Sequence, residues 1–192
     1  MLKLNKVGFK YESSPDLIFK DISIQFSKCW TGIIGANGSG KTTLLMLASN
    51  SLKPSEGNVK SIGSSYYCEQ RTDNKPHLYE GFINSYENYS FQIQELLKIN
   101  TDLFSRWETL SHGERKKCQL ATALFHNPDI LIIDEPTNHM DLPSINCVED
   151  TLVDFRGALL LVSHDQTFLN RIINKTWNIT ELDYTQLQLK II

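Results

Sequence analysis

Gly35-Ala36-Asn37-Gly38-Ser39-Gly40-Lys41-Thr42 is the stretch on which the fold turns. It fits the pattern GxxxxGK[ST], and its flanks fit too. Trp30 to Ile34 reads as a buried strand leading in, and an apolar helical pattern begins near Lys41. Glycines let a backbone curl until its N–H groups point inward, and the positive end of the following helix adds to them, so such a loop cradles phosphate oxygens. In that setting Lys41 reaches the β- and γ-phosphates, and the Thr42 hydroxyl is a ligand for Mg²⁺.

Working outward, Ile130 to Ile133 and Ala158 to Val162 are short continuous apolar runs, each followed by a polar turn and a helical pattern. Strands buried on both faces have this look, and their alternation with helices predicts a three-layer α/β core whose ligands sit beyond the C-terminal strand ends. The opening is different. Leu2 and Leu4 alternate with polar residues, then Val7, Phe9 and Tyr11 continue after a change of phase, and Ile22, Ile24 and Phe26 alternate again. These are half-exposed strands, the first carrying a bulge or turn, with a further turn expected at Pro54 to Gly57.

Asp134 and Glu135 end the second apolar strand, ahead of Pro136. Successive strand side chains point to opposite faces, so adjacent acids can take different tasks. Asp134 is placed to hold the Mg²⁺ shell and Glu135 to orient and deprotonate an attacking water. Leu110-Ser111-His112-Gly113-Glu114 opens a helical pattern running to about His126. Ser111 and Glu114 form an S-x-x-E capping box, and a helix start with a serine hydroxyl and a glycine N–H also suits a phosphate; the two readings are compatible.

Bulk composition bounds the rest. At 192 residues with 41% hydrophobic content the chain has the length and core of one domain, and 19 basic against 22 acidic residues give no general field for polyanions. Any phosphate site is therefore local, and the sequence indicates no nucleic-acid partner. Cys29, Cys68, Cys118 and Cys147 are far apart with no CxxC pair, so they are expected to be buried, reduced thiols of a cytoplasmic protein. No apolar stretch approaches the roughly 20 residues of a membrane span, and the start of the chain does not have the pattern of a secretory signal.

The phosphate loop, Leu-Ser-His-Gly-Glu and Ile-Ile-Asp-Glu-Pro, in this order and with these spacings, resemble the ATP-binding cassette ATPases, over essentially the whole chain. The resemblance implies a P-loop NTPase three-layer α/β core with N-terminal antiparallel strands, in one nucleotide-binding domain over 1–192 with a short helical subdomain over about 71–126. It implies ATP and Mg²⁺ as cofactors, with Gly35, Asn37, Gly38, Ser39, Gly40, Lys41, Thr42 and Thr43 on the nucleotide. Tyr11 matches the aromatic that stacks on adenine, Gln70 the glutamine that links Mg²⁺ and water to the helical subdomain, and His164 the switch histidine on the γ-phosphate. Thr42, Gln70 and Asp134 then surround the metal, and Glu135, His164, Lys41 and Gln70 form the catalytic set. Ser111 and Gly113 match residues that meet the nucleotide of a second, facing ATPase domain, and Asp141 matches the acid of the loop crossing that interface. Taken singly, Tyr11 also reads as an edge-strand aromatic, Gln70 as a surface amide, His164 as a structural imidazole and Asp141 as a helix cap ahead of Pro143.

One departure is His112, where the family usually has the first signature glycine; a side chain there either crowds the phosphate or points away. Thr137 to Ser144, followed by Leu-Leu-Leu-Val-Ser-His-Asp-Gln, resembles the ABC-F branch, whose members are mostly soluble two-cassette proteins, many acting on ribosomes. One cassette, with no long charged linker and no evident basic face, pulls the other way. The short interval from Gln70 to Leu110 leaves no room for the coiled-coil arm of the chromosome-maintenance ATPases. It carries Tyr79, Phe82, Tyr86, Tyr89 and Phe91, most simply the core of a helical lobe, alternatively a docking surface for a membrane partner. The sequence therefore predicts an ATPase forming a homodimer or heterodimer and energising a membrane-spanning transporter subunit, at the inner face of the cell membrane. The alternative is a soluble ABC-F-like regulator or translation factor with the ribosome as partner.

Overall fold

In the first strand, β1 (Leu2–Phe9), the phase change has a physical origin in two bulges. β1 pairs antiparallel with β2 (Phe19–Phe26) through Leu2↔Phe26 and Leu4↔Ile24, slips one residue to reach Val7↔Ile22, and slips back to Phe9↔Phe19. Lys6 and Asp21, the extra residues, both lie at positive φ, 48° and 53°. The slip returns Val7 and Phe9 to the buried face that Leu2 and Leu4 began. β4 (Glu56–Ser61) pairs with the other side of β1 to complete a three-stranded antiparallel sheet, order β2-β1-β4. The computed structural model describes residues 1–179 and the backbone of 188–191.

The second sheet holds β3 (Trp30–Gly35), β5 (Ser65–Cys68), β6 (Ile130–Asp134), β7 (Ala158–Val162), β8 (Lys175–Ile179) and β9 (Gln188–Ile191). Its order is β5-β6-β7-β3-β8-β9, parallel throughout except for β8 with β9. β6 and β7 are buried at every residue because both of their faces are covered. Ile130, Ile132 and Leu160 face α1 (Lys41–Ala48) and the antiparallel sheet, while Leu131, Ile133, Leu159 and Leu161 join the opposite core. That second core includes α5 (His112–Phe125), α6 (Leu142–Val153) and α7 (Gln166–Ile172). Truncating one such strand leucine to alanine costs about 2–5 kcal/mol, so this frame fixes where the strand ends lie.

Between β5 and α5 lie α2 (Tyr79–Ile83), α3 (Asn88–Leu96), α4 (Asp102–Ser105) and a 3₁₀ turn at Trp107–Thr109. Tyr79 and Phe82 are buried there against Phe104 and Trp107, as expected of a lobe core. Tyr86, Tyr89 and Phe91 are not; they are 91%, 45% and 49% exposed, Tyr86 lying in the link before α3 and the other two on an α3 that turns Ile93 and Ser90 inward instead. Two other expectations are corrected. Gly57 lies inside β4 rather than in a turn: it faces the β1 bulge at φ 74°, where any Cβ would strike the Lys6 carbonyl. Cys68, Cys118 and Cys147 are buried and Cys29 only partly so; all four are free thiols, and burial pushes those of Cys68 and Cys118 up to about 12.

Candidate functional site

β3 delivers the chain into the glycine loop, and two glycines there have no substitute. A Cβ on Gly35 would come within 2.6 Å of the Ile179 carbonyl, and one on Gly40, at φ 92°, within 2.9 Å of Phe19. α1 then begins at Lys41 with no side-chain cap, leaving its first N–H groups for a ligand. Lys41 is only 8% exposed, and its ammonium donates to the carbonyls of Gly35 and Ala36, both at 2.9 Å. The loop thus holds its own cation over the hollow. The Ser39 hydroxyl is buried with no hydrogen-bond partner. Tyr11 stands edge-on to Phe9, and its hydroxyl lies 3.1 Å from that of Thr43 in the first turn of α1.

β6 brings two carboxylates to the same mouth. Asp134 is fully buried; burial pushes its carboxyl up, opposed by hydrogen bonding to Thr42 and by the Lys116 ammonium. Tyr67 donates to Asp134 Oδ2 at 3.5 Å, and Oδ1 has no partner. Glu135 leaves the strand at φ 49°, a conformation that costs a residue with a side chain on the order of 1–3 kcal/mol. Its Oε2 accepts from the His164 backbone N–H at 3.1 Å, and Oε1 lies 3.3 Å from His164 Nε2. Burial raises the Glu135 carboxyl as well, the His164 N–H acting against it. A hydroxyl contact of 3.1 Å between Thr137 and Ser163 ties the two turns together.

Lys41, Thr42, Gln70, Asp134, Glu135 and His164 all line one cleft of ≈ 390 Å³, with Asn37, Gly38 and Gly40. Its chemistry fits a magnesium nucleotide: backbone and ammonium donors on one side, a hydroxyl beside an unpaired buried carboxylate oxygen, and a carboxylate with raised proton affinity next to an imidazole. Ser111 and Gly113 are not in this cleft. They line a separate open cavity of ≈ 400 Å³ with Met140, Asp141 and Ser144. Ser111 caps α5 in a full capping box, donating to Glu114 Oε2 at 2.8 Å and accepting from the Glu114 N–H at 3.3 Å. Asp141 caps α6, accepting from the Ser144 N–H at 3.0 Å. The His112 ring lies against His139, its Nδ1 3.3 Å from the Thr72 hydroxyl, and it lines a different cavity from Ser111 and Gly113.

A family profile described as "ABC transporter" matches residues 19–138, more than half of the chain. The chain belongs to that family. Its fold is the P-loop ATPase domain of ABC proteins, as a dimeric post-hydrolysis ATP-binding cassette bound to ADP and Pi shows at TM-score 0.77 and 17% identity, over 98% of both chains. The ribosome protection protein VmlR of Bacillus subtilis is 33% identical over 89% of this chain and 30% of its own length. ABC transporter F family member 4 of Arabidopsis thaliana is 29% identical over 90% of this chain and 26% of its own. The chain thus spans about a third of the length of these curated relatives.

Two residues that do not line this ABC domain's cleft but contact its Asp134 from behind carry no motif and escaped sequence reading. Tyr67 reads as one more strand aromatic, yet its hydroxyl meets Asp134. Lys116 reads as one of three consecutive cations, Arg115 to Lys117, on a polar helix face, yet it is 4% exposed. The signal was weak but present: on a helix with Leu120 and Ala123 inward, a residue four before Leu120 and seven before Ala123 falls toward the core.

Proposed function

We propose that the chain is a Mg²⁺-dependent ATPase domain that completes its active sites only against a second such domain. The observation that carries this is the split of the donor sets: the phosphate loop, both acids and His164 share one cleft, while Ser111 and Gly113 open into another. When nucleotide enters, Lys41 exchanges the Gly35 and Ala36 carbonyls for phosphate oxygens, and Tyr11 offers a ring to the base. Thr42 and Asp134 would hold Mg²⁺, which neutralises charge developing on the β- and γ-oxygens. Glu135 takes a proton from the water whose oxygen bonds to the γ-phosphorus as the bond to the bridging oxygen breaks. His164 holds the Glu135 carboxylate, and Gln70 reaches the same water from beyond the end of the neighbouring β5. The products are ADP and orthophosphate.

Of the two roles the sequence left open, the ABC-F-like one draws support from VmlR and the Arabidopsis F-family protein, together with Thr137 to Ser144. We therefore infer an ATPase whose closure acts on a ribosome-sized partner. The transporter reading keeps one specific observation, the exposed Tyr86, Tyr89 and Phe91 on the helical lobe, a surface suited to a membrane protein's cytoplasmic helix. No helix among the described residues is long and apolar enough to cross a membrane, so that reading needs a spanning segment outside them. Co-sedimentation of the Glu135→Gln variant with ribosomes under MgATP, beside affinity purification from detergent-solubilised membranes, separates the two. Ribosome binding lost on Tyr86→Ala with Phe91→Ala would assign that aromatic surface to the ribosome and remove the observation behind the transporter reading.

A further inference from the structure

Among the described residues, α5 carries a cation into the interior that no step above uses. Lys116 lies five residues past Ser111, about 7–8 Å along the axis at ~1.5 Å per residue, and is 4% exposed. Its ammonium donates to two main-chain carbonyls, those of Glu69 and of Asp134, the latter at 3.0 Å. The carbonyl of one residue and the N–H of the next share a rigid plane. Fixing the Glu69 and Asp134 carbonyls therefore fixes the peptide planes from which Gln70 and Glu135 depart. These two residues follow the ends of neighbouring strands, where Cys68 pairs with Ile133, and both line the cleft in which they must meet on one water.

The surroundings favour position over bulk. A buried ammonium is stable only when hydrogen-bonded and charge-balanced. Burial pulls the Lys116 pKa down, and Cys68, Asp134, Glu135 and Glu69 oppose that. Its neighbours on α5 bind only one wall: Arg115 donates to the carbonyls of Thr72 (3.3 Å), Trp107 (3.1 Å) and Glu108 (2.9 Å), and His112 Nδ1 contacts the Thr72 hydroxyl. Lys116 instead reaches two main-chain carbonyls at once, one just past the end of β5 and one at the end of β6.

We propose that Lys116 is a positioning residue for hydrolysis, clamping the Glu69 and Asp134 carbonyls so that Gln70 and Glu135 are set at the spacing the attacking water requires. This rests on the catalytic reading of Glu135 given above. The test compares Lys116→Met, which keeps length but removes donors and charge, with Lys116→Gln, whose amide keeps two N–H donors. Each is measured for melting temperature, Kd for fluorescent ATP, and kcat and KM for MgATP.

Lys116→Met should lower kcat by about 10–100-fold, the range for loss of an orienting partner, with Kd and KM near wild type. Lys116→Gln should fall between the two. Wild-type kcat in Lys116→Met would overturn the proposal. So would a folded Lys116→Gln no better than Lys116→Met, or a parallel loss of kcat and nucleotide affinity. Should Lys116→Met not fold, Lys116→Gln decides: reduced kcat at unchanged Kd upholds the clamp, and wild-type kcat overturns it. Glu135→Gln is the control that separates the two readings. If it hydrolyses ATP as fast as wild type, the catalytic assignment falls and takes this inference with it; if it is inactive while Lys116→Met is fully active, only this inference falls.

Discussion

The strand ends that frame the cleft and the start of α5 present their polar groups in opposite states. At the ends of β3, β6 and β7, polar atoms are buried and under-satisfied: Asp134 Oδ1 and the Ser39 hydroxyl lack partners, and Lys41 fills the loop with its own charge. At the start of α5, Ser111 and Glu114 satisfy each other in the open. Unsatisfied buried groups cost free energy that a ligand can return, whereas a capped helix start gains little from a ligand alone. Nucleotide should therefore bind first and tightly at the strand ends, and the α5 side should engage only when a facing domain presents a phosphate.

The largest expected effect lies at the strand ends. Lys41→Ala should cut turnover by at least about 100-fold, since it removes an ammonium aimed at the transferred phosphoryl group; calorimetry and phosphate release together check it, and unchanged values would return Lys41 to a loop-stabilising role. Ser111→Arg should come next and differ in kind. It should bring turnover to background while leaving ATP affinity of the monomer within a few-fold, so a parallel loss of affinity would erase the distinction between the two sides.

Tyr11→Ala should weaken ATP binding by about 1–3 kcal/mol, with Tyr11→Trp tolerated, because a base platform needs a ring face more than a hydroxyl. Equal affinities for wild type and Tyr11→Ala would leave Tyr11 as a strand residue packed on Phe9. The smallest effect belongs to the capping box. Hydrogen bonds from Ser111 hold the Glu114 carboxyl below its ordinary 4.5, so its stabilisation of α5 is present above that pH and lost as pH falls through the folded value. Thermal melts of wild type and Glu114→Gln should differ by up to about 1 kcal/mol near pH 7 and converge toward pH 3. A difference that grows on acidification would contradict the cap.

Legibility in the sequence followed the same division. The parallel core could be read because five-residue apolar runs ending in Asp-Glu or Ser-His have few other uses, and the structure places Ile130–Asp134 and Ala158–Val162 in neighbouring parallel strands. The β1 bulge was visible as a slip in alternation; that Gly57 answers it from β4 was not, because a tertiary contact leaves no local signal. Tyr89 and Phe91 misled because aromatic content says nothing of which way a nine-residue helix faces, and Tyr86 because it falls in the link before that helix. His112 could not be placed from sequence, since crowding depends on a χ angle that its contacts with Thr72 and His139 decide. Lys116 was hidden by its charged neighbours.

The central claim is that two such domains share the chemistry, and Glu135→Gln tests it most directly. The amide keeps the size of the side chain but cannot take the proton, so ATP should persist between paired domains. Light scattering of Glu135→Gln, with and without MgATP, should show the mass double on addition of nucleotide, and Ser111→Arg in the same background should hold it at the monomer value. Monomeric mass in saturating MgATP, together with wild-type specific activity that does not change with protein concentration, would show that one chain completes its own site.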